Sequence, residues 1–508
     1  MQGQKIYSQK FYYNINLDQM VPQDDFYRKV NQALNLNFLY KETKQYYGSE
    51  GNQSIDPVVF FKICMVGYLN NICSDRGLIK FCSNCLNIRL FLGYDLDEAL
   101  PWHSTISRTR QLFGEDVFRK FFKEILRLCV EKGMVSGRRQ AVDSAFIKAN
   151  ASMESLLEKE VLEDVDVYAD QLAENSEKTT TIEKKKDAER RQKHKEKYTK
   201  HNPGANSEKA RFLSNKTHYS PTDPDARIST KPGKQRHLNY FGQLSVDTSN
   251  HVITAAGADF ADKNDHQCLE KLCDQAIENL HEHHIKIDEL IADTGYCGGE
   301  ALKYLERKNI NAWIPNMGKF SPEKGGLLYN KELNQYECLR GNRAVLPYRN
   351  SYNSINGIPN HRFWSGSHVC KSCVFKEECC GKEKNSKTIS HSMYNDIYLE
   401  NHKKRTENYK YAEKMSKLRK STVEPVLGTL LNFMSIKRVN TKGIQQAEKH
   451  VLMSSSCYNL KKMLNFNRKN VEIIRIALEN PVKIAKNISC DFFSISRFIF
   501  NPNPALIF

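Results

Sequence analysis

Long hydrophobic runs are missing from this chain of 508 residues. The run VVFFKICMVGYL at residues 58–69 is among the longest, and a membrane-spanning helix needs about 20 predominantly apolar residues. The N-terminal stretch MQGQKIYSQKFYYNINLDQM also lacks the apolar core of a secretory signal peptide. These absences predict a cytoplasmic protein with no membrane partner.

Acidic residues are too few to balance the basic ones. The chain has 59 Asp and Glu against 76 Lys and Arg, which gives a net charge of +17 at pH 7. Such a balance favours a polyanionic partner, with nucleic acid first and an anionic membrane surface second, over a generic basic surface. The 15 cysteines are scattered through the chain without an export signal. They therefore indicate reduced thiols or metal ligands, not a disulfide framework.

Residues 1–135 are predicted to be helical. Asp56 followed by Pro57 is typical of a helix start, and Ser74 is a second candidate N-cap. Arg108 and Arg110 belong to the segment HSTISRTRQLFG. These two side chains are either phosphate contacts or part of a solvated basic face.

Strand patterns begin after residue 138. A strand that contains Asp143 is followed by two strands joined as a hairpin at Ser249-Asn250. An amphipathic helix at about 264–281, a strand that ends near Asp293, a helix at 299–308 and the strand NAWIP come next. Three consecutive strands that pair, followed by strands alternating with helices, indicate an α/β fold: a mixed sheet with helices packed on it.

Three acids are the candidate catalytic residues. Asp293, in IDELIADTGYCGG, follows a short buried strand, where open α/β folds place ligands; alternatively it caps the helix that begins at GGEALKYLERKN. Asp143 lies in RRQAVDSAFIKANAS and Glu424 in RKSTVEPVLGTLLNF. Three carboxylates that converge on one point need a cation, because like charges repel strongly at short range. Hard oxygen ligands suit Mg²⁺ or Mn²⁺, and two such ions can promote in-line phosphoryl transfer.

A family resemblance rests on these acids and on several longer segments. Asp143 in VDSAFIKANAS, Asp293 in IADTGY and Glu424 in STVEPVLGT resemble the acidic triad of DDE transposases of bacterial insertion sequences, more narrowly the IS1182-type within the IS4/IS5-like group. SIDPVVFFKICMVGYLNNICSDRGLIKFC and HSTISRTRQLFG are similar to the helical N-terminal domain of that family. SPTDPDARISTKPGK resembles its pre-strand loop and SCYNLKKML its C-terminal helix. The resemblance covers nearly the whole chain.

The resemblance implies a fold, an activity and partners. The fold would be RNase H-like, with the final Glu on a late helix. The activity would be metal-dependent cleavage at the ends of a mobile element and strand transfer into target DNA. The partners would be DNA that carries the terminal inverted repeats, target DNA, and a second copy of the chain in a homodimer on DNA, associated with the nucleoid.

The family also has a basic residue shortly before the Glu and a lysine seven residues after it. Arg419 or Lys420 fits the first position, as a charge for the DNA phosphate near the scissile bond. Position 431 is Leu, so Lys437 or Arg438, two turns further on, is the predicted substitute.

The helix around Glu424 has an unusual sequence. Pro425 disfavours helical geometry at the residue before it, and STVE fits a capping box. Glu424 is therefore predicted in the first turn of a new or kinked helix. In the alternative interpretation, Glu424 serves only as a cap.

Cysteines in YECLRGN and HVCKSCVFKEECCGK form a candidate zinc site. A C-x2-C pair with two further thiols is typical of a closed, structural Zn²⁺ site. Residues 318–400 are rich in Asn, Lys, Ser and Gly, so a metal ion is expected to organise them in place of an apolar core. His361 and His368 are alternative ligands, and unliganded thiols are the competing interpretation. The predicted ligands are Cys338, Cys370, Cys373 and either Cys379 or Cys380.

The predicted organisation follows from these segments. It comprises a helical DNA-end-binding domain (1–135), the first part of an RNase H-like core (136–317) with a charged insert at about 152–236, a cysteine-rich insert (318–400), a helical second part of the core (401–480) and a tail (481–508). The predicted function is a DNA transposase. The alternative is a DNA-binding protein derived from a transposase, with a decayed or repurposed nuclease core. The intact acid set favours the enzyme, and Leu431 favours the alternative.

Overall fold

The computed structural model describes residues 16–48, 54–158, 213–215, 217–229, 236–318, 320–340, 343–353 and 359–467. Within these ranges the chain is a mixed α/β protein with a helical N-terminal region. Contacts group Met1–Leu460 in one compact unit and Lys461–Phe508 in another. Most of the charged insert predicted at about 152–236, and the tail predicted at 481–508, lie outside the described residues. No helix of the described part is long and apolar enough to cross a membrane.

In the described residues before position 136, the N-terminal region consists of helices and connecting loops and has no strands. Both N-caps expected from the sequence are confirmed: Asp56 accepts hydrogen bonds from the N–H groups of Val58 and Val59, and Ser74 accepts one from Gly77. The helices are α1 (Leu17–Met20), α2 (Phe26–Ala33), α3 (Phe38–Thr43), α4 (Pro57–Leu69), α5 (Asp75–Asn84), α6 (Leu86–Leu92), α7 (His103–Leu112) and α8 (Glu115–Glu131).

A mixed six-stranded sheet forms the centre of the rest of the chain. Its strands are β1 (Arg139–Lys148), β4 (Arg227–Ser229), β5 (His237–Asp247), β6 (Ile253–Phe260), β7 (Glu289–Ile291) and β8 (Asn311–Trp313), while β2 (Leu157–Glu158) and β3 (His218–Tyr219) pair separately. The strand order is β4-β5-β1-β7-β8, and β6 also pairs with β5. The β1, β5 and β6 pairings are antiparallel, whereas β7 and β8 continue the sheet in parallel from β1. The predicted hairpin is confirmed.

Helices α9 (Asp265–His281) and α10 (Gly299–Arg307) connect strands of this sheet. The predicted amphipathic helix at about 264–281 is confirmed as α9, which starts with a capping box between Asn264 and Gln267. Both helices bury an apolar face, as their 3.6-residue periodicity predicts.

The segment between β8 and the later helices forms a second, antiparallel sheet of five strands, in which each strand pairs with the next one along the chain. The expectation that this segment lacks a core of its own is wrong, because seven buried side chains pack together within it: Leu327, Tyr336, Ala344, Leu346, Phe363, Cys370 and Ile389. The elements are β9 (Leu327–Asn330), β10 (Gln335–Cys338), β11 (Val345–Asn353), β12 (Pro359–Trp364), α11 (Ser367–Lys371), α12 (Lys376–Cys380) and β13 (Thr388–Ser392).

Helices α13 (Asn395–Glu407), α14 (Tyr409–Phe433) and α15 (Ile444–Leu464) follow. Glu289 of β7 anchors the start of α14. Its carboxylate accepts hydrogen bonds from Tyr411 Oη at 2.7 Å and Trp313 Nε1 at 3.1 Å, and pairs with Arg139 of β1. Burial acts to raise the pKa of Glu289, but the hydrogen bonds from Tyr411 and Arg139 hold that pKa below its usual value. Helix α14 is therefore fixed across β1 and β7.

The core of the N-terminal region also includes part of α15, a helix from much later in the chain. Helix α4 buries nearly all of its side chains, as its uninterrupted apolar sequence predicts. The Tyr68 hydroxyl at its end makes a 2.7 Å hydrogen bond with His450 Nδ1 of α15, and Cys457 of α15 lies 4.0 Å from the Met65 carbonyl. The N-terminal helices are thus packed against α15.

Candidate active site

Asp143 lies in the middle of β1, and its side chain is 16% exposed. Its Oδ1 accepts a hydrogen bond from the Ser144 N–H at 2.8 Å, and its Oδ2 contacts Arg419 Nη1 at 2.9 Å. Burial raises the pKa of the Asp143 carboxyl above its usual value, and the negative charge of Asp293 acts in the same direction. The Ser144 N–H and Arg419 oppose that rise. The negative charge of the Asp143 carboxylate is therefore stabilised by a nearby cation.

Asp293 follows the end of β7, the strand next to β1. Strands β1 and β7 are parallel, and Ala141 pairs with Ile291, the last residue of β7; Asp143 and Asp293 each lie two residues beyond that pair. Asp293 Oδ1 accepts a hydrogen bond from the Gly295 N–H at 2.9 Å and caps a single 3-10 turn, Thr294–Tyr296. The N-cap of α10 is Gly298. The interpretation of Asp293 as the cap of that helix is therefore wrong.

Glu424 lies inside α14, not in the first turn of a helix. Helix α14 runs without interruption through Pro425, so the predicted capping box at STVE is wrong. The Ser421 hydroxyl donates backward to the Leu418 carbonyl at 3.1 Å, as mid-helix serines do. Packing of α14 on the sheet overrides the helix-breaking preference of Pro425. The Glu424 side chain is 54% exposed, and its Oε1 contacts Arg419 Nη2 at 3.2 Å.

Arg419 links two of the three acids. Its guanidinium contacts Asp143 with one nitrogen and Glu424 with the other, and its side chain is only 11% exposed. Two carboxylates from different elements therefore face one cationic group, which relieves the repulsion between them. No three His, Cys, Asp or Glu side chains in the described ranges are close enough together to hold a metal ion. The convergence of all three carboxylates on one metal ion stays a prediction.

Asp265, the first residue of α9, is a neighbour of this site that the sequence analysis missed. Its carboxylate accepts a hydrogen bond from the Ser144 hydroxyl, next to Asp143. A Cβ built at Gly295 would lie 2.6 Å from Asp265 Oδ2 and 3.1 Å from Asp293 Oδ1. A side chain at position 295 would therefore displace the Asp265 carboxylate and crowd that of Asp293. In the sequence, Asp265 looks like an ordinary first-turn acid of a helix, so no local signal identifies it.

The two arginines of α7 differ in their surroundings. Arg108 is exposed. Arg110 makes a paired contact with Asp75 of α5, at 2.8 and 3.0 Å, and the two side chains are 16% and 24% exposed. Arg110 is therefore held within the fold and is not available for phosphate, which corrects the prediction for this residue. Only a contact across two helices distinguishes it from Arg108.

The basic residues near Glu424 also divide into two groups. Lys420 is exposed on α14. Lys437 and Arg438 are exposed as well, but α14 ends at Phe433, so they do not lie two turns further along the same helix as predicted. Instead, their segment runs beside the end of β1, with Arg438 paired to Lys148.

Five thiols line one cavity of about 220 Å³ in the second sheet region: Cys338, Cys370, Cys373, Cys379 and Cys380. Burial raises the pKa of the Cys380 thiol to about 11, and the neighbouring thiols of Cys379 and Cys370 add to that rise. The Cys338 thiol donates to the Arg340 carbonyl at 2.9 Å. His361 and His368 are not among the residues that line the cavity; His361 bonds to Ser351 instead.

Two family models match the chain. One, described as "Transposase domain (DUF772)", covers residues 15–112, which contain helices α1 to α7. The other, described as "Transposase DDE domain", covers residues 216–460, which contain Asp293 and Glu424. Asp143 lies between the two matched ranges. No curated protein and no solved structure matches the chain.

Proposed function

The chain belongs to the DDE transposases of bacterial insertion sequences, of the IS1182-type, and we propose that it cuts DNA at the ends of its own mobile element and joins the 3′ hydroxyls to target DNA. One observation carries the proposal. Asp143 and Asp293 each lie two residues beyond the Ala141–Ile291 pair of the parallel strands β1 and β7, and Arg419 contacts both Asp143 and Glu424. These observations support a site to which three elements each contribute one acid.

The proposed catalytic core is RNase H-like. Its support is the order of the central sheet: three antiparallel strands, β1, β5 and β6, followed by β7 and β8, which lie parallel to β1 on the other side. In a parallel pair the carboxyl ends of both strands meet at one edge, where ligand sites of open sheets lie.

Asp143, Asp293 and Glu424 would hold Mg²⁺ or Mn²⁺, since carboxylate oxygens are the ligands that these hard ions prefer. The bound ions would supply activation of the attacking oxygen and stabilisation of the leaving oxygen. The chain itself fixes the positions of the acidic side chains. The cap at Gly295 orients the Asp293 carboxylate, and packing on β1 holds α14. Of the two predicted phosphate contacts, Arg419 is mostly buried and paired with Asp143 and Glu424, whereas Lys420 is exposed on α14. Lys420 is therefore proposed to bind the phosphate near the scissile bond, and Arg419 to position the two acids.

The direct test uses a plasmid that carries the two ends of the element that encodes the chain. Incubated with the protein and Mg²⁺, it should yield strand breaks at both ends and joined products with target DNA. Specific binding of the ends without cleavage in Mg²⁺ or Mn²⁺ would support the alternative of a repurposed DNA-binding protein. A homodimer is proposed for the active complex on DNA, because two ends must be cut and joined together.

Arg108 is proposed to contact DNA phosphate as part of an end-binding region formed by the N-terminal helices. Arg108→Ala is expected to weaken binding of every duplex to a similar degree and to lower the slope of log affinity against log salt by about 1. Fluorescence anisotropy over a salt series measures both quantities. The full chain is needed, because a fragment of residues 1–135 lacks α15, against which α4 packs. An unchanged slope would favour a helical region that serves only for dimerisation.

The thiol cavity is proposed as the site of one structural zinc ion that takes no part in strand transfer. Its support is that five cysteines line a single cavity, where the neighbouring Cys379 and Cys370 add to the rise in the pKa of the Cys380 thiol. In the described ranges no three of these thiols are close enough together to hold a metal ion, so they would have to draw together around it. Metal analysis of protein purified without chelator should find about one zinc per chain, and Cys373→Ser should remove it. Cys73→Ser, an exposed cysteine elsewhere, is the control. If the purified protein contained no zinc, these cysteines would be unliganded thiols and the proposal would be wrong.

A further inference from the structure

Asp265, the first residue of α9, is held beside the proposed catalytic acids by a hydrogen bond. Its Oδ1 accepts a hydrogen bond from the hydroxyl of Ser144, the residue after Asp143 on β1. Successive residues of a strand project to opposite faces of the sheet. Asp265 therefore approaches the site from one face of the sheet, and Arg419, which contacts Asp143, approaches it from the other.

The Asp265 and Asp293 carboxylates lie close together across Gly295. A Cβ at position 295 would meet Asp265 Oδ2 at 2.6 Å and Asp293 Oδ1 at 3.1 Å. The two oxygens are therefore at most about 6 Å apart, a distance at which like charges repel each other. The Gly295 N–H also donates to Asp293 Oδ1 at 2.9 Å. Glycine at this position thus allows the two acids to approach each other.

The Tyr296 hydroxyl lies near a third acid as well. Its side chain is fully buried in the turn that Asp293 caps. Burial raises the pKa of this hydroxyl well above its usual value, and the negative charges of Asp265, Asp143 and Asp293 add to that rise. The acids on the two faces of the sheet therefore act on one buried group, at the edge where β7 has ended.

We propose that Asp265 is a positioning residue of the active site, whose negative charge strengthens the binding of the divalent metal ion at Asp293. The inference rests on the proposed function and adds a fourth acid to Asp143, Asp293 and Glu424. Arg419 brings one positive charge to this set, through its contacts with Asp143 and Glu424. A divalent cation balances the excess of negative charge. Asp265 needs no direct contact with the metal ion, because charges interact over several ångströms.

In the alternative interpretation, Asp265 is an ordinary first-turn acid that stabilises α9 through the helix dipole. Asp265→Asn separates the two roles, because asparagine keeps an oxygen that can accept the Ser144 hydroxyl but removes the charge. An acid that only stabilises the helix would change the unfolding temperature and leave the metal affinity as it is. The matched control is Asp262→Asn, which removes the same charge from an exposed side chain that pairs with Arg227 at 3.6 Å.

The test measures Mn²⁺ binding to the full-length proteins by electron paramagnetic resonance, which counts unbound Mn²⁺. Each protein is titrated alone and with a duplex that contains one end of the element. Asp265→Asn should raise the Kd for Mn²⁺ about tenfold, the lower end of the effect of altering a residue that supports a metal ligand. Asp262→Asn should leave the Kd unchanged. In cleavage assays with Asp265→Asn, the Mg²⁺ concentration for half-maximal rate should rise by a similar factor, while the rate at saturating Mg²⁺ should change less.

An unchanged Kd for Asp265→Asn would overturn the inference. An equal rise for both variants would also overturn it, because the effect would then follow net charge and not position. If the unmodified chain binds no Mn²⁺ with or without the duplex, the inference is wrong as well. Thermal unfolding of each variant without metal, near the temperature of the unmodified chain, shows that the fold is retained. The proposed function is judged separately, by cleavage with the unmodified chain. A chain that cuts DNA, but whose Kd is the same in Asp265→Asn, would refute only the role of Asp265.

Discussion

Asp293→Asn is expected to abolish strand cleavage and to leave DNA affinity nearly unchanged. The substitution removes one negative ligand for the proposed metal ions. Loss of about 4 kcal/mol of charge stabilisation in the transition state corresponds to a rate loss of about a thousandfold. Affinity should persist, because it comes mainly from Lys and Arg contacts to phosphate. Cleavage of a labelled end duplex and anisotropy on the same DNA give the two values.

The choice of asparagine separates chemistry from folding. Asn retains an oxygen that can accept the Gly295 N–H hydrogen bond, so the cap of the 3-10 turn is preserved. Asp293→Ala removes both the cap and the charge. The difference between the two variants therefore measures the contribution of the capping hydrogen bond. Asp262→Asn is the matched control, because it removes the same charge from an exposed side chain. If the Asp293→Asn variant cleaved DNA at the rate of the unmodified chain, Asp293 would not be one of the catalytic acids.

Arg110→Ala is expected to lower the free energy of unfolding by about 2 kcal/mol, because the ion pair is mostly buried and a hydrogen bond to a charged group contributes about 1.5–3 kcal/mol. The loss is large because Asp75 keeps its charge inside the fold without a partner. Urea denaturation monitored by circular dichroism measures the change. The matched control is Arg108→Ala, two residues away on the same helix, where an exposed side chain should change stability by no more than about 0.5 kcal/mol. Equal effects of the two substitutions would contradict the structural role assigned to Arg110.

Features with a local physical cause could be predicted from the sequence. The N-caps at Asp56 and Ser74 depend on a side chain and the next three residues, and both are confirmed. The strand that contains Asp143, the 249–250 hairpin and α9 follow from hydrophobic periodicity and turn residues. The same reasoning predicted Asp143 within a strand and Asp293 near the end of another, and the structure has Asp143 inside β1 and Asp293 two residues after β7.

Features set by contacts between distant segments could not be predicted. Pro425 and STVE look like a helix start, but packing of α14 on the sheet carries the helix through them. Arg110 looks like its neighbour Arg108 until Asp75 of another helix is placed beside it. Asp265 has no signal besides its place at a helix start. Leu327, Tyr336 and Phe363 are too far apart in the chain for periodicity to show that they share a core.

The packing of α4 against α15 also has a consequence for how the chain is made. Tyr68 and His450 are 382 residues apart, so the first helices leave the ribosome long before the helix that completes their core exists. At usual rates of synthesis the interval is about 20 to 80 s. A gene copy truncated before α15 would yield an N-terminal fragment with the apolar surface of α4 uncovered, a substrate for chaperones and proteases. Truncated copies should therefore seldom accumulate as DNA-binding competitors of the intact protein.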